Sequence, residues 1–174
     1  MSSSISITPS SLDRYFLRTG VYIGLAGGIA EIIVVWVYSA LTGGDAANIG
    51  RQVGYAVGIS KASAANGIMV HLILAAMLGV GLNYILQFAL ARHAPAGKVF
   101  SASLCTLTLI WAVNFFVVLP LISPSFVHVL PYAVTLFSKL MFGVVAAATF
   151  CSLRRRPKRK NISDEIKENA SPAG

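Results

Sequence analysis

The chain has 174 residues, 56% of them hydrophobic and only 11% charged, with a formal net charge of +8. A soluble domain carries about 25% charged residues, so the composition excludes an ordinary water-soluble fold. The two cysteines, Cys105 and Cys151, both fall in apolar stretches, which leaves no disulfide framework and no C-x-x-C metal motif.

Residues 1–19 form a polar N-terminal segment carrying Arg14 and Arg18. Crossing a hydrocarbon core of about 30 Å takes about 20 mostly apolar residues. Four stretches qualify: 20–42, 67–91, 99–122 and 126–153. The first exceeds the core of a signal peptide, about 7–15 residues, and no small-x-small cleavage pattern follows it. It is read as a retained span. Glu31 is the only charge between Arg18 and Asp45. Gly24, Gly27 and Gly28 precede it near the same helical face, and small residues mark where membrane helices pack closely.

The connection 43–66 contains Asp45, a helix-capping residue, followed by Ile49, Val53 and Val57 at four-residue spacing. This pattern predicts a short amphipathic helix on the outer membrane surface or over the bundle. In the second span Gly67, His71, Ala75, Gly79, Asn83 and Gln87 recur every four residues. Such a series forms a ridge that winds slowly around its helix. The third span adds Asn114 and, near its end, Pro120, which lacks a backbone donor and predicts a kink. His71, Asn83, Gln87 and Asn114 are assigned to the polar interior of the bundle, with interhelical hydrogen bonds worth about 0.6 kcal/mol each. A tight connection follows, in which Ser123 is expected to cap and Pro124 to open the fourth helix.

Basic residues sort to one side. Arg14, Arg18, Arg92 and Lys98 flank the spans there, and Arg154, Arg155, Arg156, Lys158, Arg159 and Lys160 follow the fourth. The positive-inside rule then puts both termini in the cytoplasm. The net charge is read as a topology signal, not as nucleic-acid binding. The juxtamembrane cluster 154–160 can also hold anionic lipid, at about 1 kcal/mol per basic residue. The tail 154–174 is expected to be disordered.

The expected architecture is therefore an all-α, four-transmembrane-helix bundle spanning residues 20–153. A charge at bilayer depth costs roughly 2.5–3.5 kcal/mol on insertion scales, so Glu31 and Lys139 are the foremost site candidates. Lys139, like Glu31, projects from a small-residue face, here with Gly143, Ala146 and Ala147. Counted from the outer ends of their predicted spans, the two differ in depth by only about 3 Å at 1.5 Å per residue. They are expected to meet near mid-membrane, either as a structural ion pair or as a relay for protons or a solute. His71 and His128 form a second candidate, a pair able to ligate haem iron or a metal, although a metal site normally wants more ligands. No nucleophile motif, phosphate loop, dinucleotide fingerprint or zinc-protease motif is present, and no cofactor is implied.

In helix count, and in the acid midway along its first span, the chain resembles the small multidrug resistance transporters. It departs from them in its greater length, its basic tail, the helix expected in its first outer loop and Lys139. The resemblance implies transport but transfers no site residue. The leading functional expectation is a non-catalytic membrane subunit or homo-oligomer in a bacterial inner membrane. A proton-coupled or small-solute transporter using Glu31 and Lys139 is the alternative.

Overall fold

A computed structural model describes residues 9–90 and 94–155, with side chains from 14 to 90 and from 94 to 154. Arg92, His93 and the basic residues Arg156, Lys158, Arg159 and Lys160 lie outside the described residues, as does the expected disorder of the tail. All regular structure among the described residues is helical. Helix α1 runs Pro9–Thr42, α2 Ala46–Ala56, α3 Ala64–Ala89 and α4 Ala96–Val113. A π-helical turn, Asn114–Val118, leads into α5 (Leu119–Ile122), and a 3-10 turn, Pro124–His128, precedes α6 (Tyr132–Arg155). Four stretches are long and apolar enough to cross a membrane: Arg14–Thr42, Ala64–Ala89, Ala96–Ile122 and Tyr132–Arg154. Large apolar side chains such as Trp36, Leu41, Phe88, Leu109 and Leu121 stand exposed on these helices. That surface suits lipid and would aggregate in water.

Local chemistry explains the boundaries. Asp45 and Ser63 cap α2 and α3, accepting the backbone N–H of Asn48 at 3.0 Å and of Asn66 at 3.1 Å. Pro120 cannot donate to the Phe116 carbonyl, and its ring crowds that group. The chain answers with the π turn, in which the Leu119 N–H reaches five residues back to Asn114.

The fourth span departs from expectation. Ser123 makes no capping bond, Pro124 opens only the short 3-10 turn, and α6 starts at Tyr132, not near residue 126. The reason is Pro131: it lacks an N–H and pushes the residue before it out of helical geometry. Its own carbonyl then accepts the Val134 and Thr135 N–H groups at 3.0 and 3.1 Å, which starts the helix.

Neighbouring spans run antiparallel in the packing order α3, α1, α6, α4, and α3 meets α4 only lightly. One end of the molecule carries α2 and the Ser123–Pro131 connection, and is called the loop end. The other, called the terminal end, carries the first and last described residues, Pro9 and Arg155. Small residues set the spacing of α1 and α3. Gly20 and Gly24 abut the α3 backbone at Val80 and at Ala75–Ala76, and Gly79 abuts Gly24 in return. This is the close backbone approach that glycine permits in membrane helices. The four-residue ridge of α3 is shared: Gly67 faces Gly50 of α2, while Ala75, Gly79 and Asn83 face α1. A core of Ile23, Leu82, Leu86, Val99, Leu107, Phe142, Ala146 and Phe150 draws on all four spans.

Two outcomes follow. Gly79→Leu drives a side chain into the α1 backbone, at the upper part of the about 1–3 kcal/mol range for overpacking, and lowers the midpoint of thermal unfolding in detergent. Gly81→Leu, with open space around its position, leaves that midpoint unchanged. The second outcome concerns Asp45, whose carboxyl is held below its usual 3.8 chiefly by the Asn48 N–H and then by Arg51. A lowered carboxyl stabilises the fold fully above its unfolded value and loses that contribution as pH falls through the folded one. The Asn48 amide protection factor therefore declines below pH 3.8, and Asp45→Asn abolishes the decline.

Candidate functional site

Glu31 occupies the middle helix of three. Its residue is 5% exposed, and two basic side chains approach it from opposite sides. Lys139 of α6 places Nζ 2.7 Å from Oε1. His71 of α3 places Nε2 3.7 Å from Oε2. The first is a charge-assisted hydrogen bond; the second is beyond hydrogen-bond range and acts through charge when the imidazole is protonated. The same His71 nitrogen lies 3.3 Å from the Gly28 carbonyl, the more direct partner for an N–H.

Glycines make these approaches possible. Gly27, one turn before Glu31, receives the flat of the Phe142 ring, which would lie 2.7 Å from any added Cβ. Phe142 is fully buried, and the Lys139 ammonium sits 5.4 Å from its ring centroid. Phe142 thus supports the cation from below while Glu31 binds it from the side. Gly28 does the same for α3, leaving room for Ala75 and bringing its carbonyl to His71.

Glu31 stands where its helix was expected to place it, and Lys139 lies nearer its helix start than the expected thirteen residues. With α6 starting at Tyr132, Lys139 stands only seven residues inside its helix, roughly 10 Å at 1.5 Å per residue. His71 is seven residues into α3, and Glu31 eleven residues before the end of α1. All three belong to the half of the bundle nearer the loop end. The carboxylate is enclosed, yet the side chains of Lys139 and His71 keep 18% and 27% of their surface exposed.

The other candidates lie elsewhere. Asn83 is fully buried near the terminal end, donating to the Phe16 carbonyl at 3.0 Å and accepting from Gln87 at 3.0 Å. Gln87 itself is exposed on the rim of its helix and not interior as expected, because four-residue steps carry the ridge around α3. Asn114 is half-buried, and among the described residues its side chain makes no hydrogen bond; its carbonyl closes the π turn instead. His128 stands exposed in the 3-10 turn, while His71 is directed at α1. Among the described residues no cluster of three or more His, Cys, Asp or Glu side chains could hold a metal ion. Arg154 lies 5.3 Å over the Phe150 ring and borders a cleft of about 310 Å³ shared with Tyr15, Thr19 and Gln87.

Two features escaped sequence reasoning. His71 was not linked to Glu31, although its place early in α3 matches that of Glu31 late in α1 once the two helices are antiparallel. Hydroxyl groups were also overlooked. Trp111 donates to Thr135 at 3.1 Å and Ser103 to the Gly143 carbonyl at 3.1 Å, tying α4 to α6.

A mutant cycle measures the ion pair. Removing one partner of a buried pair costs about 3–5 kcal/mol, so Glu31→Gln and Lys139→Met each lower the thermal midpoint in detergent, and the double variant recovers most of the loss. His71→Leu, with its longer contact, has a smaller effect. No family model, curated protein or solved structure matches this chain, so its functional reading stands on this geometry.

Proposed function

We propose that this protein is a non-catalytic multi-pass membrane component that works as a homo-oligomer or as a subunit of a larger membrane complex. One observation carries the reading: a single buried carboxylate is held by basic groups on both flanking helices, which fixes α1, α3 and α6 relative to one another. The packing order adds support. Since α3 and α4 meet only lightly, both keep broad apolar faces that further helices or lipid would cover. Arg14, Arg18 and Arg154 share the terminal end, in keeping with cytoplasmic termini. At that end Arg154 and the basic residues beyond it would hold anionic headgroups.

A second reading, a proton-coupled or small-solute transporter, is favoured by His71. It supplies the carboxylate with a basic neighbour besides Lys139, so a proton or charged solute could displace one without stranding Glu31.

Two measurements on the same preparation separate the readings. Native mass in mild detergent is expected at a multiple of the 18.4 kDa chain, or with a co-purifying partner. Proteoliposomes loaded with a pH-sensitive dye are expected to show the same proton leak for the wild type and for Glu31→Gln. A purely monomeric protein whose proton flux disappears in Glu31→Gln overturns the first reading in favour of the second.

A further inference from the structure

The cleft beside Arg154 draws its walls from α1, α6 and the end of α3, and its chemistry is graded. Leu86 and Phe150, both buried members of the core, line it together with the half-buried Leu90 and Leu153. Its polar groups are the exposed Tyr15, Gln87 and Arg154 and the buried Thr19. Apolar and polar walls in one cleft suit an amphiphile better than a hydrated ion, which gains nothing from leucines.

Two of the polar groups are held in place before any ligand arrives. The Arg154 guanidinium lies 5.3 Å over the Phe150 ring, and stacking of this kind leaves the N–H donors along its edge free to fork onto a phosphate. Gln87 donates to Asn83 at 3.0 Å, and Asn83 in turn donates to the Phe16 carbonyl at 3.0 Å. A primary amide has two N–H groups, so Gln87 keeps one for a ligand. No carboxylate lines the cleft among the described residues, and Arg154 makes it positive. Depth narrows the choice of anion. Tyr15 lies next to the start of its span, Leu90 just past the end of the second, and Arg154 at the end of the fourth. Lipid phosphates stand at that level of a bilayer, and basic pockets between membrane helices hold their headgroups.

We infer that this cleft binds one anionic phospholipid, with its phosphate on Arg154 and Gln87 and its glycerol backbone against Leu90, Leu153 and Phe150. A volume of about 310 Å³ lies at the small end of ligand sites, about 300–1,000 Å³. It takes the headgroup and glycerol, while the acyl chains run out over the apolar surface of the helices. The inference rests on the headgroup contact proposed above and deepens it, from attraction to a charged leaflet to one lipid in a defined place.

Lipid titration of the purified full chain tests it. Delipidated protein in mild detergent receives dioleoyl phosphatidylglycerol or dioleoyl phosphatidylcholine, and native mass spectrometry counts the lipids bound. The first phosphatidylglycerol is expected to bind about tenfold tighter than the first phosphatidylcholine. Arg154→Gln removes the fork, and Leu153→Trp fills the cleft without changing its charge. Each is expected to weaken that first step about tenfold at an unchanged thermal midpoint of the lipid-free protein. If both variants bind like the wild type while the anionic preference persists, the cleft inference is overturned and the diffuse headgroup contact survives. If no anionic preference is found, both fall. Displacement of the lipid by excess glycerol 3-phosphate overturns the assignment to a lipid in favour of a soluble anion. Photo-crosslinking of the unsubstituted chain gives a reading free of folding effects. Phosphatidylglycerol with a diazirine close to its glycerol should label the peptides containing Leu90 and Leu153, and adducts confined to the exposed Met77 and Leu109 overturn the inference equally.

Discussion

A carboxylate inside a bundle of apolar helices needs a basic partner on a neighbouring helix, and Glu31 imposes that requirement on α1, which lies between α3 and α6. Only α1 touches both α3 and α6 extensively, so only an α1 side chain can be approached from those two spans together. Much else is arranged around it. Gly27 makes room for Phe142, which carries Lys139, and Gly28 brings α3 close enough for His71. The glycine seam farther along α1 continues the same close packing with α3. Such a pair adds little net stability compared with apolar packing, since the desolvation of both charges offsets their attraction. Its value lies in specificity: any slip of α1 against α6 would strand a charge in a dry interior.

That constraint also divides the molecule by depth. The terminal half is packed like a dry core, with Phe142, Leu82, Leu86 and Phe150 filling the space between helices. In the loop half, the apolar packing shifts to an aromatic group of Trp111, Phe115, Phe116 and Tyr132 between α4 and α6. The short α2 helix covers α3 through Gly50 and Gly54, which pack against Ala64 and Ala62.

The spans were legible because their signal is additive: some twenty apolar residues without charge have few other uses. The prominence of Glu31 and Lys139 was legible for the same reason, as exceptions to that background. The position of Lys139 along its helix was less so. It hinged on where α6 begins, and Pro131, not Pro124, decides that. The Pro120 disturbance was anticipated, but its form as a π turn depends on how neighbouring carbonyls relax. His71 could be placed on a ridge but not opposite a partner, because periodicity gives the face of a helix and never the identity of its neighbour. Gln87 shows the reverse error, in which membership of the ridge suggested burial and the rotation of that ridge brought it to the surface. Thr135 carries no distinctive spacing, and its role appears only once α4 and α6 are aligned and Trp111 donates to it.

The most direct measurement is the distance across the ion pair in a lipid bilayer. Solid-state NMR of the protein labelled with carbon-13 at the Glu31 carboxyl and nitrogen-15 at the Lys139 ammonium reports their dipolar coupling. An N–O separation of 2.7 Å requires a strong coupling between directly contacting groups. Its presence, together with loss in Gly27→Leu, where Phe142 can no longer support the lysine, would establish the contact around which the helices are organised. A carboxyl and an ammonium with no measurable coupling in the folded protein would contradict it, and both the packing register and the function built upon it would have to be abandoned.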